Sequence, residues 1–270
     1  MCKVSTITPC YRMGKYLKTF LNELPKQTIF NDIEVVLDHN EPAKEEIDLV
    51  KSFGYSNINH IVVDKVDPIG VSMNRCINES KGEYLCIWNV DDLRTPYSIE
   101  LMAKTLDENP DVDFCYGNYL VVSSFESQYG YLVDETGKEN LLTKGMVLGP
   151  FFMFRKSAIK KSGIFDEQLV SGADFDLALR LAFNGKGKHI PYILGFYLNE
   201  GMGASTRPNS KQPLERTVIE LRYGLPVLEP QYIEDAKKYN IENLYINNNK
   251  INVKTFLPKL KNENSNFITV

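Results

Sequence analysis

Four short apolar runs alternate with helix-like stretches over residues 4–88, and this alternation limits the fold more than any other feature of the chain. The runs are 4–8 (VSTIT), 33–37 (IEVVL), 60–63 (HIVV) and 84–88 (YLCIW), each of strand length and rich in β-branched or aromatic residues. Between them lie 13–24, where Tyr16, Phe20 and Leu24 recur every four residues, then 43–53 and 71–80. A strand followed by a helix does not turn back as a hairpin; the crossover returns the next strand parallel to the first. The expectation is an α/β fold with a mainly parallel central sheet flanked by helices.

Further on, 96–108 reads as a helix and 113–119, continuing to Val122, as a strand. The pattern then loosens into an excursion or loop over 123–144 before a strand at 151–154, a short helix at 155–162, a helix at 174–183 and a strong strand at 190–198. From Arg207 on, Pro208, Pro213, Pro226 and Pro230 punctuate two helical segments, 214–223 and 232–239, ahead of an Asn- and Lys-rich tail. This predicts a main domain over 1–206, with halves 1–122 and 123–206, and a C-terminal helical extension and tail over 207–270.

At 270 residues, with 43% hydrophobic and 24% charged, the chain can bury one large core. Its 31 Lys and Arg against 35 Asp and Glu give a net charge of −4, without the basic excess of a nucleic-acid binder. Five widely spaced cysteines, odd in number and with no C-x-x-C pair, read as buried thiols of a reducing compartment. No apolar stretch approaches the roughly 18 residues of a membrane span. The first strand-like run begins at Lys3, leaving no room for a signal peptide. The expected location is the cytoplasm.

In parallel α/β sheets ligands gather at the carboxyl ends of the strands. Three polar clusters fall there: Pro9-Cys10-Tyr11-Arg12 after the first run, Asp38 after the second and Asn89-Val90-Asp91-Asp92 after the fourth. One aspartate after a strand is ordinarily a turn former or a helix cap; three clusters in this order make a stronger case. Asn89 and Asp91, two apart in extended chain, point to the same face. Such a pair of oxygen donors suits a hard divalent cation that leaves positions for water and phosphate.

Ser5-Thr6-Ile7-Thr8-Pro9-Cys10-Tyr11-Arg12, Glu34-Val35-Val36-Leu37-Asp38, Gly82-Glu83-Tyr84 leading to Asn89-Val90-Asp91-Asp92, and Ala173-Asp174-Phe175-Asp176-Leu177-Ala178-Leu179-Arg180 resemble, in this order, the family 2 glycosyltransferases of GT-A fold. The resemblance covers roughly residues 3–205 and implies a Rossmann-like nucleotide-binding sheet. It implies that Pro9, Tyr11 and Asp38 hold the nucleotide base, with Asn74 retained from an Ala-Arg-Asn element. Asn89 and Asp91 fall on a D-x-D element that binds ribose and metal (Mn²⁺ or Mg²⁺), and Asp174 falls on the catalytic base. The implied partners are a nucleoside-diphosphate sugar and a glycan, lipid-linked or protein-linked acceptor. A lipid-linked acceptor would bring the chain to the inner face of a membrane as a peripheral protein.

Several positions depart from the family pattern. Met73 replaces its arginine, Asn89 its first D-x-D aspartate, Ala173 a glutamate, and Glu200 a histidine near the end of the fold. Glu200 is either a replacement metal ligand or a solvated loop residue. Ser171 and Asp174 also have capping-box spacing, and a helix N-terminus would lower the Asp174 pKa; Asp176 is a second candidate for the base. Trp88 reads as core, and His39, His60 and His189 lack ligand spacing. The two glycines within 199–206 suit either a mobile lid or a plain surface loop. The departures also motivate a rival reading, a catalytically silent sugar-nucleotide-binding protein. A nucleotidyltransferase would need a Gly-rich phosphate cradle, and a dinucleotide oxidoreductase a G-x-G-x-x-G after the first strand; the chain has Pro9-Cys10-Tyr11 instead.

Overall fold

A computed structural model describes residues 2–127, 129–134, 136, 138–201, 203 and 206–257. In chain order the elements are β1 (Val4–Cys10), α1 (Gly14–Glu23), β2 (Ile33–Asn40), α2 (Lys44–Phe53), β3 (Ile58–Val63), α3 (Ile69–Glu79), β4 (Tyr84–Ile87), β5 (Leu93–Arg94), α4 (Ser98–Glu108) and β6 (Phe114–Val122). They continue with β7 (Gly130–Val133), α5 (Lys138–Lys144), β8 (Phe152–Arg155), α6 (Ile159–Ser162), α7 (Ala173–Asn184), β9 (Gly187–Leu198), α8 (Gln212–Tyr223), α9 (Ile233–Ala236), β10 (Asn243–Ile246) and β11 (Asn249–Asn252).

Among the described residues nine strands form one sheet in the order β3-β2-β1-β4-β8-β6-β9-β5, with β7 paired to β6. β3, β2, β1, β4, β6 and β9 run one way and β8, β5 and β7 the other. The expected α/β architecture is present, and Pro9 lies opposite Asp38 in the β1–β2 register. Alternation along the strands sends side chains to two cores. Ile7, Val36, Leu85 and Ile87 join Met73, Cys76 and Ile77 of α3, Leu177 of α7 and Val218 and Ile219 of α8. Val4, Val35, Leu37 and Cys86 join Leu17 and Phe20 of α1, Val50 of α2 and Met102 of α4. Trp88 lies in the second core, edge-on to Phe20 at 5.4 Å between centroids, as expected of a packing residue.

Gly82 is dictated by close approach: a Cβ there would stand 2.5 Å from the Ser5 amide nitrogen. Its N–H donates to Ser5 Oγ, which donates to Glu34 Oε2, so the Gly-Glu-Tyr entry to β4 is fastened to β1 and β2.

Three segments differ from the sequence expectation. The 123–144 stretch contributes β7 and α5 instead of remaining loop throughout. The second C-terminal helix contracts to a 3₁₀ turn at Pro230–Tyr232 and the single turn α9. The tail forms a β10–β11 hairpin, because Asn247 and Asn248 both take positive φ (49° and 63°), the geometry of a two-residue hairpin turn. No described helix is long and apolar enough to cross a membrane. All five cysteines are free thiols, four of them buried.

Candidate active site at the carboxyl edge of the sheet

β1, β2 and β4 are parallel, so the loops that follow them emerge at one edge. Cys10 reports their convergence: its thiol is pushed up to about 12 by burial and by the negative charges of Glu46, Asp91 and Asp38. Beside it Arg12 adopts φ 55° and lays its guanidinium 4.9 Å over the Tyr11 ring. Pro9 and Tyr11 are both half-buried, so the Tyr11 ring is not core packing.

Asp38 is fully buried. Its Oδ1 accepts from Ser72 Oγ at 2.6 Å and Asn40 Nδ2 at 2.5 Å, and its Oδ2 from Arg75 at 2.7 Å. A carboxylate has about four acceptor positions, so one remains on Oδ2. Ser72 and Arg75, three apart on α3, share the face toward Asp38. Met73 and Asn74 point elsewhere. Met73 is core, and Arg75 supplies the guanidinium that a reading confined to Met73 counts as lost.

Asn74 is engaged within the fold. Its Nδ2 donates to the Phe165 carbonyl at 3.0 Å and Glu167 Oε1 at 2.9 Å, while its Oδ1 accepts from the Phe165 N–H at 2.9 Å. Both ends of the buried amide hold the 165–167 segment. The cause is the helical period: two residues from Ser72, Asn74 lies on another side of α3.

After β4, Asn89 Nδ2 donates to Asp92 Oδ2 at 2.9 Å and the Asp92 N–H donates to the Asn89 carbonyl. Asp92 is buried and its pKa is raised well above the ordinary range by burial and by the charge of Asp91. Asp91 is half-buried; burial raises its pKa too, and the charge of Glu200 adds to the effect. Glu200, just past β9, accepts through Oε2 from Lys15 Nζ at 2.7 Å and Tyr16 OH at 2.5 Å, both on α1. These hydrogen bonds lower its pKa. Asp91 and Glu200 are therefore near enough for the charge of one to act on the other, while Glu200 itself is paired with Lys15. No three His, Cys, Asp or Glu among the described residues converge into a complete metal cage.

Asp174 opens α7. The helix cap is Gly172, with no side-chain cap bond, so the capping box does not form. Asp174 Oδ1 accepts from the N–H of Phe175 at 2.8 Å. Its pKa is pushed up to about 6 by burial, with the charge of Glu215 adding. The expected lowering by the helix N-terminus is overturned because desolvation outweighs it. Asp176 is fully buried among Arg180 (2.7 Å), Arg222 (2.7 Å) and Tyr223 OH (2.8 Å). Burial works against its charge, but the two guanidiniums prevail and lower its pKa. Asp176 is a structural anion.

Tyr119 on β6 links the two halves of the site. Burial raises its pKa, and so do the charges of Tyr131, Tyr197, Asp174 and Asp92. Asp174 and the loop after β4 therefore act on one phenol. Sequence reading missed Ser72, Arg75, Lys15, Tyr16, Tyr119 and Glu215; only the i, i+3 spacing of Ser72 and Arg75 carried a signal. Of the expected lid, Met202, Ala204 and Ser205 lie outside the described residues. His39 Nδ1 lies 3.3 Å from His60 Nε2, and burial lowers both pKa values, that of His60 to about 4. A cleft of about 1450 Å³ between α3 and the C-terminal hairpin meets the site at Arg75.

A largely parallel sheet with polar loops at one carboxyl edge, extended by the antiparallel strands β8, β5 and β7 and followed by α7 with Asp174 and Asp176, is the architecture of a GT-A-type glycosyltransferase. Residues 5–163 match the model of glycosyl transferase family 2, and the chain belongs to that family. It is 22% identical over 188 residues to an uncharacterised glycosyltransferase of Methanocaldococcus jannaschii, covering 63% of this chain and 61% of that one. It is 25% identical over 193 residues to a chondroitin synthase of Pasteurella multocida, covering 70% of this chain and 20% of that one. In both comparisons the match spans less than two thirds of the relative's length. Among solved structures, S. aureus TarS 1-349 in complex with UDP superposes with TM-score 0.63 at 16% identity, covering 88% of this chain and 72% of that one. The Pyrobaculum calidifontis mannosyltransferase PcManGT, in complex with GDP-Man and Mn²⁺, superposes with TM-score 0.58 at 15% identity, covering 88% and 65%.

Proposed function

We propose that this chain transfers a sugar from a nucleoside-diphosphate donor to a hydroxyl of a glycan, lipid-linked or protein-linked acceptor, with inversion and with Asp174 as general base. The observation that carries the reading is Asp174 itself. Its carboxyl, at the opening of α7, is pushed up to about 6 by burial, and its charge and that of Asp92 both act on the Tyr119 phenol. A base of that pKa is ionised at neutral pH and strong enough to draw the proton from an attacking hydroxyl. Attack from the side opposite the departing diphosphate inverts the anomeric carbon in one displacement. A retaining path would need a second carboxylate as nucleophile, and Asp176 is held in ion pairs.

On the donor side, Pro9, Tyr11 and the remaining acceptor position of Asp38 would hold the base, and Asn89 a ribose hydroxyl. A divalent cation such as Mn²⁺ or Mg²⁺, held by Asp91 and Glu200, would offset the charge that builds on the leaving diphosphate. Structural neighbours captured with UDP and with GDP-Man and Mn²⁺ support a nucleotide-sugar donor. The five free thiols support action in the cytoplasm, and a lipid-linked acceptor would draw the chain to a membrane face.

Calorimetric titration with UDP, GDP, dTDP and CMP, each with and without Mn²⁺, tests the reading. The expected result is one nucleoside diphosphate that binds more tightly with metal. No binding of any nucleotide refutes it. A second reading, a nucleotide-sugar binder without transfer, is favoured by Asn89, which adds no charge and donates to Asp92. It predicts the same titration but no transfer of sugar.

A further inference from the structure

We infer that α8 is a positioning clamp for Asp174: Glu215 fixes the main chain that enters α7, and Arg222 fixes the first turn that follows. The inference rests on Asp174 as the base and adds the device that presents it. Glu215 is fully buried, and its carboxylate accepts from three consecutive backbone amides. Val170 donates at 3.0 and 2.9 Å to its two oxygens, and Ser171 and Gly172 donate to Oε2 at 2.7 and 2.9 Å. Two turns along α8, Arg222 donates to Asp176 Oδ1 at 2.7 Å and to Asp166 Oδ2 at 2.8 Å, and Tyr223 OH donates to Asp176 as well. Seven residues apart, Glu215 and Arg222 share one face of α8, and Val218 and Ile219 between them are fully buried against the core. Asp174 therefore stands between two fastened points, Gly172 and Asp176, both held by one helix.

A buried carboxylate is costly unless hydrogen bonds to its charged form compensate it. Here the amides supply that compensation, and any shift of α8 is transmitted to the backbone at 170–172. The same carboxylate is a negative charge facing Asp174, so it favours the proton-holding form of the base. Tyr119, from β6, is a further titratable group near Asp174, whose charge raises the Tyr119 pKa. Both α7 and α8 lie beyond the stretch matched by the family model, which ends at residue 163.

The test uses the full chain and two readouts that need no substrate. In Glu215→Gln, the ¹³C-carboxyl titration of Asp174 moves to lower pH, because a facing negative charge is gone. Amide hydrogen exchange at Val170, Ser171 and Gly172 accelerates by about 10- to 100-fold, the range for losing a hydrogen bond to a charged group. Glu215→Asp keeps the charge but withdraws it by one methylene, so exchange accelerates while the titration moves less. Once turnover is measurable, Glu215→Gln lowers kcat by about 10- to 100-fold with donor KM unchanged. Native-like amide exchange at 170–172 in Glu215→Gln overturns the clamp. If that variant does not fold, native-like exchange at 170–172 in Glu215→Asp overturns it instead. Persistence of transfer in Asp174→Asn would sink the base assignment while leaving these two readouts intact, so the two failures are distinguishable.

Discussion

Replacing Asp174 with asparagine is expected to remove transfer and at the same time to stabilise the fold at neutral pH. The carboxyl goes from 3.8 in the ordinary state to about 6 in the folded chain. A raised acid is protonated in both states at low pH and costs nothing there. Above its folded pKa it is ionised in both, and the folded state bears the full penalty. A rise of about two units corresponds to about 3 kcal/mol. The side chain is only half-buried, so residual solvent reduces the figure to about 1–2 kcal/mol. Asparagine has the same shape, and its Oδ1 can still accept from the Phe175 N–H. Urea unfolding should therefore show Asp174→Asn more stable than the native chain by about 1–2 kcal/mol near pH 7.5, with the gain gone near pH 3.5. In the native chain, kcat should fall about tenfold between pH 7 and pH 5 as the base takes up its proton. A variant less stable than the native chain at neutral pH, or equally stabilised at both pH values, would refute the burial argument.

Two further outcomes follow from the same geometry. Asp91→Ala should weaken Mn²⁺-dependent binding of the diphosphate far more than Asn89→Ala, because only Asp91 brings a charge; equal losses in calorimetry with and without Mn²⁺ would contradict this division. Asp176→Ala leaves the buried Arg180 and Arg222 without their shared anion and should cost about 3–5 kcal/mol at pH 7. Because the folded pKa of Asp176 lies below its ordinary value, its contribution is present above that ordinary value and lost as pH falls through the folded one. Denaturation curves at neutral and acid pH check both sign and size.

The alternation of strands and helices, the clustering of Pro9, Asp38 and Asp91 at one edge, and Asp174 at the opening of a helix were all legible in the chain. Each depends on periodicity or on the direction of a strand, which a few neighbouring residues encode. Asn74's engagement with Phe165 and Glu167 was not legible, because a motif names a residue without saying which side of α3 it faces. The hairpin at the end of the chain was missed although Asn247-Asn248 is a turn signal, since weak flanking strands gave no pattern to confirm it.

What only the tertiary structure decided is who stands beside whom and how much water is left. Arg75 reaches Asp38 across 37 residues, and Glu215 reaches Gly172 across 43. The pKa of Asp174 rises where a local argument from the helix dipole has it fall, because desolvation is set by distant segments packed around the carboxyl. Asp174 and Asp176, two residues apart on one helix, become a candidate base and a locked ion pair. Asp176 has Arg180 four residues on along its own helix where Asp174 has Ala178, and Arg222 and Tyr223 from another helix complete its pairing.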